Sequence, residues 1–162
     1  GCAESVSRPH AVPRIAKGRE LEDFGGHQDI APTLRALAGA PPGATAGADL
    51  GPFLAGGRPP SWRDAWFTQT NGNELYGIQR SVATKEWHYV YNGFDEDELY
   101  DLIADPHQMV NRAADPACAT VRDELCRRMW RFAQAHGDTC TNSYITVGLA
   151  PRGPIEALAS SL

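Results

Sequence analysis

The sequence contains no run approaching the roughly 20 consecutive apolar residues that cross a bilayer. Its N-terminus, Gly1 to Arg14, has no apolar segment resembling a signal peptide, so no membrane insertion is expected. Charge of one sign is also missing: 15 Lys and Arg are interspersed with 20 Asp and Glu, for a net charge of -5. No basic stripe is left to track phosphates, and nucleic acid is not an expected partner. Four cysteines, Cys2, Cys118, Cys126 and Cys140, include no Cys-x-x-Cys pair, which excludes the usual structural zinc and thioredoxin-like patterns. There is no Gly-x-Ser-x-Gly elbow, phosphate-binding glycine loop, His-Glu-x-x-His pair or internal repeat. The chain opens on Gly1 and not on Met, as a fragment or processed product would.

At 162 residues the chain is long enough for one domain with a real core. Residues 1–26 mix Gly, Pro and charge and read as an irregular segment. From Asp29 the pattern changes. Asp29 suits a helix cap, Pro32 is tolerated in the first turn, Ile30, Leu34 and Leu37 share a face, and Gly39 stops the helix. Residues 40–61 are too rich in Pro and Gly for a regular element and read as a long ordered loop, anchored by Leu50, Phe53 and Leu54.

Between Ala65 and Leu102 aromatic and β-branched residues rise and the spacing turns toward period two, most clearly in Trp87, Tyr89 and Tyr91. Four strands are predicted near 65–70, 76–83, 87–92 and 97–102. Their short connections permit only antiparallel neighbours, with Asn92-Gly93 supplying positive φ at the third turn. Asp105-Pro106 is expected to start a helical turn, with Gln108 reaching back to the cap. Asp115-Pro116 opens the longest helix, in which Cys118, Val121, Leu125, Met129 and Phe132 share a face until Gly137. Cys118 and Cys126 then lie about 12 Å apart along one axis and cannot bridge each other. One further strand is possible at Tyr144 to Val147. The expected fold class is α+β: a four-stranded antiparallel sheet packed by a long C-terminal helix, with a short N-terminal helix and a Pro/Gly-rich loop. Residues 27–137 form the expected subdomain, and 138–162 a tail.

Two constellations invite a metal and neither makes a site. His27 and Asp29 have His-x-Asp spacing, but two ligands do not close a shell and Asp29 is already explained as a cap. The acidic run Asp95, Glu96, Asp97 and Glu98 lies beside a hairpin turn, where charges stay solvated. His10, His88, His107 and His136 are scattered. No residue is assigned a catalytic, cofactor-binding or metal role.

Three stretches, in order, resemble the C-terminal third of sulfatases in the alkaline phosphatase superfamily. The first runs from Gly18-Arg19 through His27-Gln28-Asp29-Ile30-Ala31-Pro32-Thr33-Leu34 to Leu37-Ala38-Gly39, similar to that family's "D-[IL]-A-P-T-L-x-x-L-A-G" helix. The second is Trp62-Arg63-Asp64 with Val82 to Asn92, resembling "V-R-T-x-x-x-K-Y-I-Y-N". The third is Glu98-Leu99-Tyr100-Asp101-Leu102, Asp105-Pro106 and Asn111, like "E-L-Y-D-L-x-x-D-P-x-E-x-x-N". This sequence departs from the pattern with Ala83 for Arg, His88 for Lys and Gln108 for Glu.

The resemblance implies a smaller subdomain docked beside a large α/β catalytic domain in a parent enzyme that hydrolyses sulfate esters. That missing N-terminal domain is the implied partner, and the sulfate ester is met through it. Calcium and a formylglycine nucleophile are implied for the parent, not for this chain, because the motifs that supply them precede this segment. Cys118 and Arg122 stand four apart, as in the family's Cys-x-Pro-x-Arg signature. The Pro is absent, however, and Cys118 falls on the apolar stripe of a predicted helix. A stand-alone binding module and the tail of a related phosphonate or phosphate ester hydrolase are the alternatives. A subdomain cut from a larger fold is also expected to expose apolar surface, with Ile30, Leu34, Leu37, Phe53 and Leu54 contributing.

Overall fold

The period-two segment folds into four strands in a computed structural model of the chain: β1 (Trp66–Asn71), β2 (Ile78–Ala83), β3 (Trp87–Asn92) and β4 (Glu98–Asp101). They form one antiparallel sheet in the order β1-β2-β3-β4, the expected meander. The structure describes residues 18, 20–71, 78–93, 95–138 and 152–159. Register places Phe67, Val82, Tyr89 and Leu99 opposite one another across the sheet. Since side chains alternate along a strand, this row and Tyr91 share one face.

That face is covered by the long helix α3 (Ala119–Ala135). It starts as predicted: Pro116 opens a 3-10 turn, Pro116–Cys118, and the Asp115 carboxylate accepts the Ala117 N–H at 2.9 Å. It ends at Gly137, whose φ of 69° lets the Asp138 N–H reach the Ala133 carbonyl at 2.9 Å. The buried stripe is broader than the predicted one. Leu125 and Met129 are in it, but so are Cys126, Trp130 and Ala133, because a helix lying on a sheet buries an arc wider than a single row. Trp130 meets Tyr91 edge-on at 5.1 Å between ring centroids, and Phe132, partly exposed, stacks on Phe67 at 3.9 Å.

Two elements were not legible in the sequence. A short helix, Pro154–Ala159, packs against α3 and buries Ala157. The proposed strand at Tyr144 to Val147 lies outside the described residues. Within the Pro/Gly-rich stretch a one-turn helix, α2 (Gly51–Leu54), carries Pro52 in its first turn, where a missing N–H is tolerated. Asn92 ends β3 without a positive φ, and its side chain instead donates to the Glu96 carbonyl and the Glu98 carboxylate.

The chain divides into two compact units, one ending at Asp64 and one beginning at Ala65, where length alone suggested one. In the first, a 3-10 turn, His27–Asp29, leads into α1 (Ile30–Leu37), which Gly39 terminates with a φ of 67°. Phe53 is buried edge-on against Trp62 at 4.8 Å, as its anchoring role required, and so does not add to the apolar surface expected to be exposed.

Candidate functional site

Asp29 does not cap α1. Its helix starts one turn earlier, at His27, so the carboxylate sits three residues inside and turns back to accept the Gly26 N–H at 2.9 Å. It also accepts the Ala48 N–H at 2.8 Å and both Arg63 Nη groups, at 2.8 and 2.7 Å. One turn on, Thr33 donates its hydroxyl to the Asp29 carbonyl at 2.6 Å and accepts the Leu50 N–H at 2.9 Å. Asp29 and Thr33 thus gather the amides of a distant loop. Gly47 allows the approach, since a Cβ there would fall 1.9 Å from the Gln28 carbonyl oxygen.

Burial by itself pushes the Asp29 carboxyl up. The hydrogen bonds from Arg63, Ala48 and Gly26, with the Arg63 charge, outweigh it and hold the group below its ordinary value. Arg63 lies over the Trp62 ring, 4.7 Å from its centroid. A cleft of about 480 Å³, mainly apolar, opens nearby between Asp49, Pro52, Pro59, Ser61 and Trp62. His27 is exposed.

In the sheet unit the acidic run splits. Asp95 and Glu96 are exposed as expected, but Asp97 is buried. It accepts the Tyr89 hydroxyl at 2.8 Å, the Asn92 N–H at 3.2 Å and Arg152 Nε at 2.5 Å. The solvated reading fails there because a cation arrives from the far end of the chain. Arg152, at φ 60°, also offers its carbonyl to Trp130 Nε1 at 2.9 Å and to the Cys126 thiol at 3.3 Å. Burial raises the Tyr89 phenol well above its ordinary value, and the neighbouring Cys126 and Asp97 add to this. Burial likewise pushes the Cys126 thiol up to about 11.

A second buried pair joins β2 to the end of α3. Arg80 binds Asp138 through two contacts at 2.6 and 2.9 Å, with both side chains almost wholly buried. Arg63, Arg80, Asp138 and Arg152 were all missed by sequence reasoning, although Arg63 belongs to a quoted motif.

The polar side chains from the end of β4 onward serve the backbone. Asp101 accepts the N–H groups of Ile103 and Ala104, and Asp105 those of Met109 and Val110. Asn111 accepts the N–H groups of Leu99 and Ala113 and donates to the Asp97 carbonyl, so residues 111 and 112 pair with the outer edge of β4. Asp105 opens a single hydrogen-bonded turn, the Gln108 N–H on its carbonyl at 3.0 Å, and not a helix. Gln108, at φ 54°, points its amide across to His88 Nδ1 at 2.6 Å and not back to a cap. Two of the three departures from the sulfatase pattern, His88 and Gln108, therefore meet.

Cys118 is buried, with Asp115 at 3.9 Å from its sulfur. Arg122 bonds the Ala113 carbonyl at 2.8 Å and pairs with Asp123. Neither addresses the other as nucleophile and cation. Among the described residues no three His, Cys, Asp or Glu side chains gather where a metal ion would fit. His107 and His136 are exposed, the latter stacked on Phe132, and His10 lies outside the described residues. What the chemistry does not decide, comparison with known proteins does: the C-terminal family of N-sulphoglucosamine sulphohydrolase matches residues 4–135.

The chain belongs to this family. Its curated relatives in the alkaline phosphatase superfamily include the multifunctional protein PehA of Trinickia caryophylli, 27% identical over 88% of this chain but only 31% of PehA. The phosphonate monoester hydrolase of Agrobacterium radiobacter superposes with a TM-score of 0.66 at 29% identity, covering 73% of this chain and 26% of that one. BT4656, solved with its substrate D-glucosamine-2-N,6-O-disulfate, gives 0.60 at 28% identity, over 68% and 24%. The chain therefore spans less than a third of the length of these relatives. As a member of the sulphohydrolase C-terminal family, it uses the motif residues Asp29, Arg63, Asp101, Asp105 and Asn111 to build its fold.

Proposed function

We infer that this chain is the non-catalytic C-terminal part of a sulfatase-type ester hydrolase, working beside an N-terminal part that carries the nucleophile. The observation that carries the reading is the inverted helix α1. Its inner side is polar, Asp29 and Thr33, while Ile30, Leu34 and Leu37 stand 44%, 61% and 51% exposed. A helix with its apolar stripe in water needs another surface to cover it.

Residues 27–137 are the portion in which this role resides, with 1–26 as a lead-in and 138–162 as a tail. In a sulfatase the nucleophile is formylglycine and the metal calcium, and the residues of this chain do not fit either. Cys118 is buried at the head of a helix, outside a Cys-x-Pro-x-Arg sequence, and the carboxylates Asp29 and Asp97 are occupied by arginines. The chain's contribution is to shape the substrate cleft, not to make or break a bond. Phosphonate esters are the second reading of the parent's substrate, favoured by the likeness to the Agrobacterium radiobacter hydrolase.

Sequencing the coding region upstream of Gly1 tests this. A Cys-x-Pro-x-Arg motif in the same frame is expected. A stop codon directly upstream would sink the reading and leave a stand-alone module.

A further inference from the structure

Exposed apolar side chains are common, and one by itself requires no explanation. The loop after β4 presents three: Ile103, Met109 and Val110, exposed at 73%, 79% and 61%. What sets them apart is how firmly their backbone is fixed. The Asp101 carboxylate holds the Ile103 and Ala104 amides at 3.0 and 2.9 Å. The Asp105 carboxylate holds those of Met109 and Val110 at 2.7 and 2.8 Å. The loop is closed further by the Asp105 N–H on the Asp101 carbonyl and the Gln108 N–H on the Asp105 carbonyl. Gln108 accepts a left-handed φ of 54° there, which is costly for a residue with a Cβ, and its amide is tied to His88. Asn111 then pins the exit to β4. Two carboxylates and a strained residue hold the three apolar side chains out in water.

We propose that Ile103, Met109 and Val110 are a preorganised knob that inserts into an apolar recess on the N-terminal part of the hydrolase, the part its relatives have and this chain does not span. The proposal rests on the functional reading above and says where on the sheet unit that partner is met. A rigid apolar group loses little freedom on docking, which is what makes such groups the energetic centre of an interface. A second copy of this chain is the weaker occupant. Even if all three side chains docked together they would offer only a few hundred Å², and two such areas fall short of the roughly 1,200 Å² that a stable dimer buries. A partner continuous with the chain needs no such area, because covalent linkage supplies the effective concentration.

The test joins this chain to the remaining N-terminal portion of PehA in place of PehA's own C-terminal part. The parent chimera is compared with one carrying Ile103→Asp, Met109→Asp and Val110→Asp, and the same variant is made in the isolated chain. The expected result is a melting temperature lowered by several degrees in the chimera, with melting and sedimentation of the isolated chain unchanged. An unchanged chimera overturns the knob. So does an equal loss in the isolated chain, which would make the residues part of its own fold, or a dimer of the isolated chain that the variant abolishes. If the chimera does not accumulate in soluble form, the residues of the Agrobacterium radiobacter hydrolase that superpose on these three are changed instead, and an unaltered melting temperature there overturns the proposal equally. The broader reading fails on a different result, hydrolysis of an ester by the isolated chain.

Discussion

In the sheet unit, the side chains that recur with helical period on α3 face inward, where Leu125, Met129 and Trp130 lie on Val82, Tyr89 and Leu99. In the unit ending at Asp64, the stripe with the same period on α1, Ile30, Leu34 and Leu37, faces out, and the inner side is Asp29 and Thr33. Periodicity therefore names a face that needs cover but not what covers it. For α3 the cover is the sheet of the same chain. For α1 the inner contacts are hydrogen bonds to loop amides and an arginine, which fix the loop and leave the apolar stripe exposed.

The comparison is broken most severely by emptying the apolar core. Trp130→Ala should cost about 4 kcal/mol, the range for large aromatic truncations, and hydrogen exchange should show β2 and β3 losing protection. Next comes the polar hub. Asp29→Ala should cost about 3 kcal/mol, because Arg63 and two backbone amides lose their acceptor. That exceeds the roughly 1 kcal/mol of an ordinary helix cap, and urea titration distinguishes the two. The expected signature is faster amide exchange at Gly26 and Ala48. If Asp29→Ala costs no more than a cap does, the hub account is wrong.

A pH titration sharpens the contrast. The folded pKa of Asp29 lies below its unfolded value, so its contribution is present above pH ~4 and is lost as pH falls through the folded value. Cys126 has the opposite sign. Its pKa is raised from 9.0 to about 11, so its contribution is complete below the unfolded value and is lost as pH rises through the folded one. Acid should therefore loosen the amides around Asp29 first, and alkali those around Cys126, with exchange measured at both extremes. The smallest effect belongs to the exposed stripe: Leu34→Glu should alter stability by less than about 0.5 kcal/mol while lowering any tendency of the isolated chain to aggregate, read by light scattering.

Much of the sheet unit was legible because its signals are local and its partners close in sequence. Period two gave the strands, Asp115-Pro116 and Gly137 bounded the long helix, and in the other unit Gly39 likewise ended the short one. What was not legible depends on contacts across long separations. Asp97 looked like one solvated charge among four because its partner, Arg152, lies 55 residues away. Asp29 looked like a cap because Arg63 is 34 residues away. Asp105 reads as the start of a helical turn, yet its carboxylate is used four and five residues on, in a loop that pairs with β4. The motifs pointed to the family and to no chemistry, and their side chains are accounted for by backbone amides and arginines.

The central claim, that this chain supplies structure and not the reaction, is tested most directly by incubating the purified chain with an aryl sulfate and an aryl phosphonate ester after co-expression with a formylglycine-generating enzyme. The account predicts no release of aryl alcohol above background and an unmodified Cys118 by mass spectrometry. Saturable turnover, or an aldehyde at Cys118, would contradict it.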